Sequence, residues 1–373
     1  PEDAHEARVA RVRRLRITAW IATALVLAWA VARAADGSHV AISDAGTAEV
    51  DIGASAAHEL SGITFAGPVE GEKDTYRYLA VSDNSRTLHT LKVGINPETG
   101  SIASCAVVSG VELAAGGDLE GVAFDGSAGT VFVCDEAGAA IREHALTASQ
   151  NHKAGAVIRE ASLPPPFSKI QDNTGLESLG RDSGAQSLWT ANEEALPVDG
   201  EKSTAEAGSV VRIVRLGPGM KPTGQWPYST DPVGGNPPKN AKRERSGVVD
   251  IAPLPDGTLL VLERMLDVER FIFADIPHFR SRIYHVDLSA ATDVSEFRQG
   301  LKGRKYTLAT KKLLWEGKFS VEKPCNFEGM ALGPSLADGS FSVLLISDDE
   351  KGALRSRVQA LRFEFKGTAQ KAR

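Results

Sequence analysis

The stretch DLEGVAFDG, Asp118 to Gly126, has the form of a buried β-strand, except that Glu120 stands where the chain ought to be apolar. Four other segments repeat this form: ELSGITF from Glu59, GLESLG from Gly175, ERSGVVDI from Glu244 and NFEGMAL from Asn326. In register, the key positions are Ser61, Glu120, Glu177, Ser246 and Glu328. Where serine replaces glutamate, Glu59 or Glu244 stands two residues earlier. Residues two apart share one face of a strand, so all five repeats can point a carboxylate the same way.

A second hydrophobic strand follows each segment and ends in an acid or amide: Asp83, Asp135, Asn192, Glu263 and Asp348. More alternating strands come next, such as TLHTLKVG, AIREHAL and SRIYHVDL, and most repeats add a fourth, such as IASCAVVSG or TKKLLWEGK. Four antiparallel strands per unit, repeated about a centre, define an all-β chain folded as a β-propeller. Five blades are counted, with six possible if Glu263 to Lys318 hides another. The fifth repeat runs out of chain after three strands, and TAEVDIG (Thr47 to Gly53) is expected to supply the fourth and close the ring. The propeller is thus expected over 47–366, with a short tail over 367–373. MLDVERFIFADIPHFR, from Met265, is expected as a partly helical insertion, and GQWPYSTDPVGGNPPKNAKRER, from Gly224, as a loop.

The composition agrees. Of 373 residues, 42% are hydrophobic, and glycine (36) and proline (18) are plentiful, as many short strands joined by turns require. Residues 1–34 differ from the rest: five arginines precede an uncharged run from Ile17 to Ala32 that ends in a small-residue pattern. This is expected to be a secretory signal, with a membrane anchor as the alternative, because the run falls short of the roughly 20 residues that span a bilayer. An exported protein, periplasmic or extracellular, is expected. Without this segment the net charge is near −9. Such a surface repels nucleic acid and anionic lipid and suits cations. Cys105, Cys134 and Cys325 lack CxxC spacing; a Cys105–Cys134 disulfide and buried free thiols are both open.

In a propeller the first strand of each blade lines the central channel, so the key glutamates become a ring. Crowded carboxylates need a cation, protons or water, because like charges and burial both raise their pKa. Oxygen donors from several strands are hard ligands, which favours Ca²⁺ over zinc or copper. The candidate metal ligands are Glu120, Glu177, Glu328, Asp135, Asn192 and Asp348. The structural alternative is that these residues cap strand-end N–H groups and that a bend accounts for the glycine after Glu120 and Glu328.

The Glu-Gly strand starts, SGVVDIAPLPDGTLLVLERM from Ser246 and NFEGMALGP from Asn326 together resemble the phytase-like family, over about Glu59 to Phe365. The resemblance implies an exported propeller whose Glu and Asp residues act in phosphoester hydrolysis. Where members often show an Asp-Arg pair, this chain has Asp83-Asn84, with Arg86 two positions later. On this reading Glu59 or Glu263 accepts a proton from water and Arg264 stabilises developing charge. The expected partner is a small-molecule substrate, phosphorylated on this reading, and the chain is expected to be a monomer. The alternatives are a non-catalytic ligand-binding propeller with structural calcium and a calcium-dependent lactonase or esterase. No GxSxG, HExxH, Walker loop or GxGxxG after a strand is present. His58, beside Glu59, and His278 are a possible base or phosphate contact, and Lys239, Lys242, Arg243 and Arg245 form a basic island, either a solvated loop or a phosphate clamp.

Overall fold

The computed structural model describes residues 39–366 except 54, 56, 171–174, 183, 234–243, 271–274 and 319–323. The segments 1–34 and 367–373, and most of the basic island, lie outside the described residues.

The first strand, β1 (His39–Glu49), is followed by four sheets built in chain order. Blade one is β2 (Leu60–Pro68), β3 (Thr75–Ser82), β4 (Thr87–Ile95) and β5 (Ile102–Glu112). Blade two is β6 (Leu119–Asp125), β7 (Thr130–Asp135), β8 (Ala140–Ala145) and β9 (Val157–Glu160). Blade three is β10 (Gly180–Asp182), β11 (Ser187–Ala191), β12 (Val210–Leu216) and β13 (Pro222–Ser229). Blade four is β14 (Glu244–Pro253), β15 (Leu259–Arg270), β16 (Asp275–Asp287) and β17 (Thr310–Lys318). In blade five, β18 (Asn326–Ser335), β19 (Phe341–Asp348) and β20 (Arg357–Lys366) are completed by β1, so the chain is a five-blade β-propeller closed by its N-terminal strand.

Three expectations are corrected in detail. The closing strand starts at His39, not Thr47, and Asp51 instead bridges Ala106 in blade one. Among the described residues Glu263 to Lys318 holds no sixth blade: the two arms pair from Met265↔Arg280 to Arg270↔Asp275 as strands, rather than being partly helical. The segment from Gly224 to Ser229 is the fourth strand of blade three, not a loop.

The middle strands are buried on both faces, as β7 and β11 are along their whole length, which is why they read as unbroken apolar runs. The core lies in layers between neighbouring sheets. Leu79 and Val81 pack with Leu119 and Val133, Phe132 and Ile141 with Leu188 and Val214, and Ile213 and Tyr228 with Val248 and Tyr284. Ala331 and Leu344 complete the ring against Leu60 and Tyr78. Each such buried side chain contributes about 1.5–3 kcal/mol.

The glycine of the Glu-Gly motif answers to close approach, not to a bend. A Cβ at Gly62 would lie 2.2 Å from the Glu120 carbonyl oxygen, at Gly121 2.6 Å from the Leu179 nitrogen, and at Gly329 2.3 Å from the Ser61 oxygen. Backbone meets backbone around the axis, and a side chain there would push the blades apart. Cys105, Cys134 and Cys325 are buried free thiols. Cys134 Sγ accepts from the Gly121 N–H at 2.9 Å and donates to the Leu176 carbonyl at 3.3 Å, joining blade two to blade three.

Candidate functional site

The inner strands bring Ser61, Glu120, Glu177 and Glu328 to one end of the channel, all buried, whereas Ser246 turns away and donates to the Asp231 carbonyl at 2.7 Å, its neighbour Arg245 taking the axial side. Ser61 Oγ donates to the Glu120 carboxylate across the boundary between blades one and two. The Glu244 side chain lies outside the described residues.

The partners at the ends of the second strands follow from the register. Leu60 pairs with Ser82, Leu119 with Asp135, Leu176 with Asn192 and Phe327 with Ser347. The residues one step further, Asp83, Glu136, Glu193 and Asp348, are therefore the equivalent set. Three of them donate their backbone N–H to the residue that begins the neighbouring inner strand: Asp83 to Glu59, Glu136 to Asp118 and Glu193 to Gly175. The sequence alignment stops one residue short in blades two and three. Asp135 pairs with Arg142 at 2.7 Å and accepts from the Asp118 N–H, while Asn192 caps the Glu194 carbonyl and the Arg212 N–H.

Two carboxylate clusters result. Asp118, Glu120 and Glu136 each offer an oxygen, all within 4.8 Å of one another, and Glu136, Glu177 and Glu193 do the same. Sequence reasoning missed Asp118, Glu136 and Glu193. The signals were present in the polar residue that opens DLEGVAF and in the acids that directly follow Asp135 in CDE and Asn192 in NEE.

Charge compensation is lopsided. Arg264, from β15, donates to Glu193 at 2.8 Å, to Asn326 at 3.3 Å and to Glu328. Arg245, from β14, pairs with Glu193 and reaches Glu177 at 3.8 Å. Both guanidinium groups are buried, so Arg245 belongs to neither a solvated loop nor an outer clamp. They serve the side of the channel made by blades three to five. On the opposite side, burial and then the Glu177 and Glu328 charges push the Glu120 carboxyl far above the ordinary range, and burial with Glu177 pushes Glu136 up to about 7. Burial, then Glu59 and Asp348, pushes Asp83 up to about 7; burial pushes Asp348 to about 6. An all-oxygen cluster whose carboxyls hold protons near neutrality is an arrangement that can hold a metal ion.

Glu263 and Arg264 are adjacent on a strand and so face opposite ways. Arg264 points to the axis. Glu263 accepts from Tyr228 Oη at 2.5 Å, Lys311 Nζ at 2.7 Å and the Asp231 N–H at 2.9 Å, in the core between blades three and four. Glu59 is buried at the corner of blades five and one, its carboxylate 3.8 Å from Lys351 Nζ. His278 stands opposite Asp267 in the β15–β16 hairpin, and Arg86 pairs with Glu112 at 3.0 Å.

Asp250 separates the two ends of the channel. Its carboxylate accepts from the N–H groups of Met330 (2.6 Å), Ile251 (2.8 Å) and Leu179 (3.4 Å), and burial pushes its carboxyl up to about 8. At the far ends of the inner strands lies a cavity of about 540 Å³, lined largely by apolar residues such as Phe65, Phe124, Ile251 and Met330.

The profile of a family described as phytase-like, with an esterase-like activity of phytase, matches residues 30–351. No curated protein matches the sequence. Similar solved structures include a DUF4221-family protein from Bacteroides vulgatus, at 9% identity and a TM-score of 0.39, covering 88% of this chain and 99% of that one. An exo-1,5-α-L-arabinanase from a bovine ruminal metagenomic library has 10% identity, a TM-score of 0.37 and coverage of 83% and 97%. A periplasmic gluconolactonase from Pseudomonas aeruginosa has 12% identity, a TM-score of 0.33 and coverage of 82% and 88%.

Proposed function

This chain belongs to the phytase-like family, and from that membership we propose that it is a divalent-cation-dependent phosphoesterase working at the acidic end of its channel. The observation that carries the proposal is the placing of the Asp118–Glu120–Glu136 cluster across the channel from Arg245 and Arg264, which pair with Glu177, Glu193 and Glu328 instead. Oxygen-only donors with unneutralised charge fit Ca²⁺, and Asp118, Glu120 and Glu136 would hold it. When bound, the cation neutralises phosphate charge and makes a water molecule more acidic.

The remaining tasks fall to side chains. Arg264 pairs with Glu193 and Glu328, and Arg245 with Glu193 and Glu177, which fixes these carboxylates in direction and shapes the wall that a phosphate group meets. A mouth carboxylate, Asp83 or Glu59, takes a proton from the attacking water. With its carboxyl at about 7, Asp83 changes protonation near neutral pH, as a proton acceptor must. Glu263, saturated by three donors, is the weaker of the two bases expected from the sequence. The basic and then apolar N-terminus supports export, so the substrate in this account is a small phosphorylated molecule outside the cytoplasm.

The test is calcium titration by calorimetry with an aryl phosphate and an aryl ester assayed in the same samples. Calcium-dependent phosphate release supports the proposal. Ester cleavage alone transfers the site to the esterase reading, and binding without turnover leaves a ligand-binding propeller.

A further inference from the structure

Where the last blade meets the first, His58 Nδ1 lies 2.7 Å from Asp349 Oδ2. The other oxygen, Oδ1, accepts the N–H of Glu59 at 3.0 Å and of Gly352 at 3.1 Å. The Asp349 side chain is 5% exposed and the imidazole 48%. The carboxylate is thus pinned by two backbone donors and itself pins Nδ1, which leaves Nε2 at the surface. Among the described residues none hydrogen-bonds Nε2.

This corner is conformationally strained. Glu59, Glu350 and Lys351 have φ of 53°, 50° and 62°, three of the seven left-handed non-glycine residues described. Each is disfavoured for a side chain of this kind and persists only where its surroundings impose it. The corner also connects to the acidic mouth. Glu59 accepts the Asp83 N–H at 3.0 Å, and Glu350 accepts from Asn326 Nδ2 at 2.9 Å, the same amide group that touches Glu328 and Arg264. The charged groups around His58 are Asp349, Glu59, Glu350 and the exposed Lys351.

We propose that His58 is the general acid of the hydrolysis inferred above, on which this proposal rests, and that Asp349 is the residue that positions it. In the step, the water oxygen forms the new bond to phosphorus and gives its proton to a mouth carboxylate. The bond from phosphorus to the alcohol oxygen breaks, its electron pair stays on that oxygen, and the oxygen takes the proton from His58 Nε2. The carboxylate's proton then returns to the imidazole through solvent. An aspartate behind Nδ1 keeps the ring oriented, with Nε2 turned outward.

Two substrates assayed in one sample test this with the full chain and calcium. His58→Asn is expected to lower kcat on glycerol phosphate about 100-fold while leaving 4-nitrophenyl phosphate, whose leaving group needs no proton, within about threefold. The ratio between substrates does not depend on how much of the variant is folded. Asp349→Asn is expected to lower kcat on glycerol phosphate about tenfold while leaving 4-nitrophenyl phosphate within about threefold, because the ring loses the acceptor that orients it, and Asp349→Glu is expected to restore part of that loss. An equal loss on both substrates, or no loss on either, in His58→Asn or in Asp349→Asn overturns the dyad. If the unaltered protein hydrolyses neither phosphate, the phosphoesterase reading has failed and the dyad with it; turnover with an unselective loss sinks the dyad alone.

Discussion

Arg264 donates to Glu193 at 2.8 Å across the boundary between blades three and four, with both side chains buried. Opposite charges placed this deep are costly to separate, since removing one leaves the other without solvent or partner. Arg264 also holds Glu328, so a single cation serves two blades beyond its own. Arg264→Leu is therefore expected to destabilise the fold by about 3 kcal/mol in urea unfolding. A loss below about 1 kcal/mol would mean that the ring tolerates its charges without the guanidinium.

The stability of the metal-free protein is expected to fall as pH rises. Asp83 and Glu136, raised to about 7, and Asp348, raised to about 6, keep their protons in the folded chain where the unfolded chain has lost them. The unfolded state then binds fewer protons, and the sign of the linkage makes unfolding easier with increasing pH. The window opens near the ordinary carboxylate values of 3.8 and 4.5 and closes near 7. Urea midpoints at pH 4.5, 6 and 7.5, with chelator and with calcium, check this: the decline should appear with chelator and flatten with calcium. Equal slopes in both series would remove the cation from the account.

Gly121→Ala tests the close approach at the axis. The new methyl group would sit 2.6 Å from the Leu179 nitrogen and 2.9 Å from Cys134 Sγ, neither of which can swing away cheaply. Overpacking of this kind costs about 1–3 kcal/mol, and because Gly121 follows Glu120, calcium affinity should fall with it. Gly129→Ala, where a Cβ meets nothing within 4 Å but φ is +66°, serves as the control: destabilised by about 1 kcal/mol, with affinity unchanged.

Much of this was legible in the chain. The recurring Glu-Gly strand starts identify inner strands because axial crowding demands a residue without a side chain, and that demand leaves a mark at each repeat. Asp135 and Asn192 were misplaced by one residue for a definite reason. Strand register depends on where the hairpin turns, which apolar patterning does not record. Arg245 was hidden for another reason: its neighbours Lys242 and Arg243 suggested a loop, whereas strand β14 has already begun and carries its guanidinium inward. Which carboxylates lack a counter-charge depends on both arginines, and that is a tertiary fact.

Asp250 is expected to matter to folding and not to chemistry. It binds three N–H groups from blades three, four and five, so Asp250→Ala leaves buried donors unpaired, at a cost of about 1–3 kcal/mol for each. Urea unfolding should show a large loss. Calcium affinity, measured where the variant is still folded, should stay near that of the unaltered protein, and a parallel loss of binding would place Asp250 in the metal site.

The most direct measurement is calcium binding by calorimetry to the unaltered protein and to Glu120→Gln and Glu136→Gln, with phosphate release followed in the same samples. The account expects one calcium site whose affinity drops at least tenfold in each variant and whose loss abolishes turnover. Calcium binding and turnover unchanged in both variants would contradict it and return the ring of glutamates to architecture.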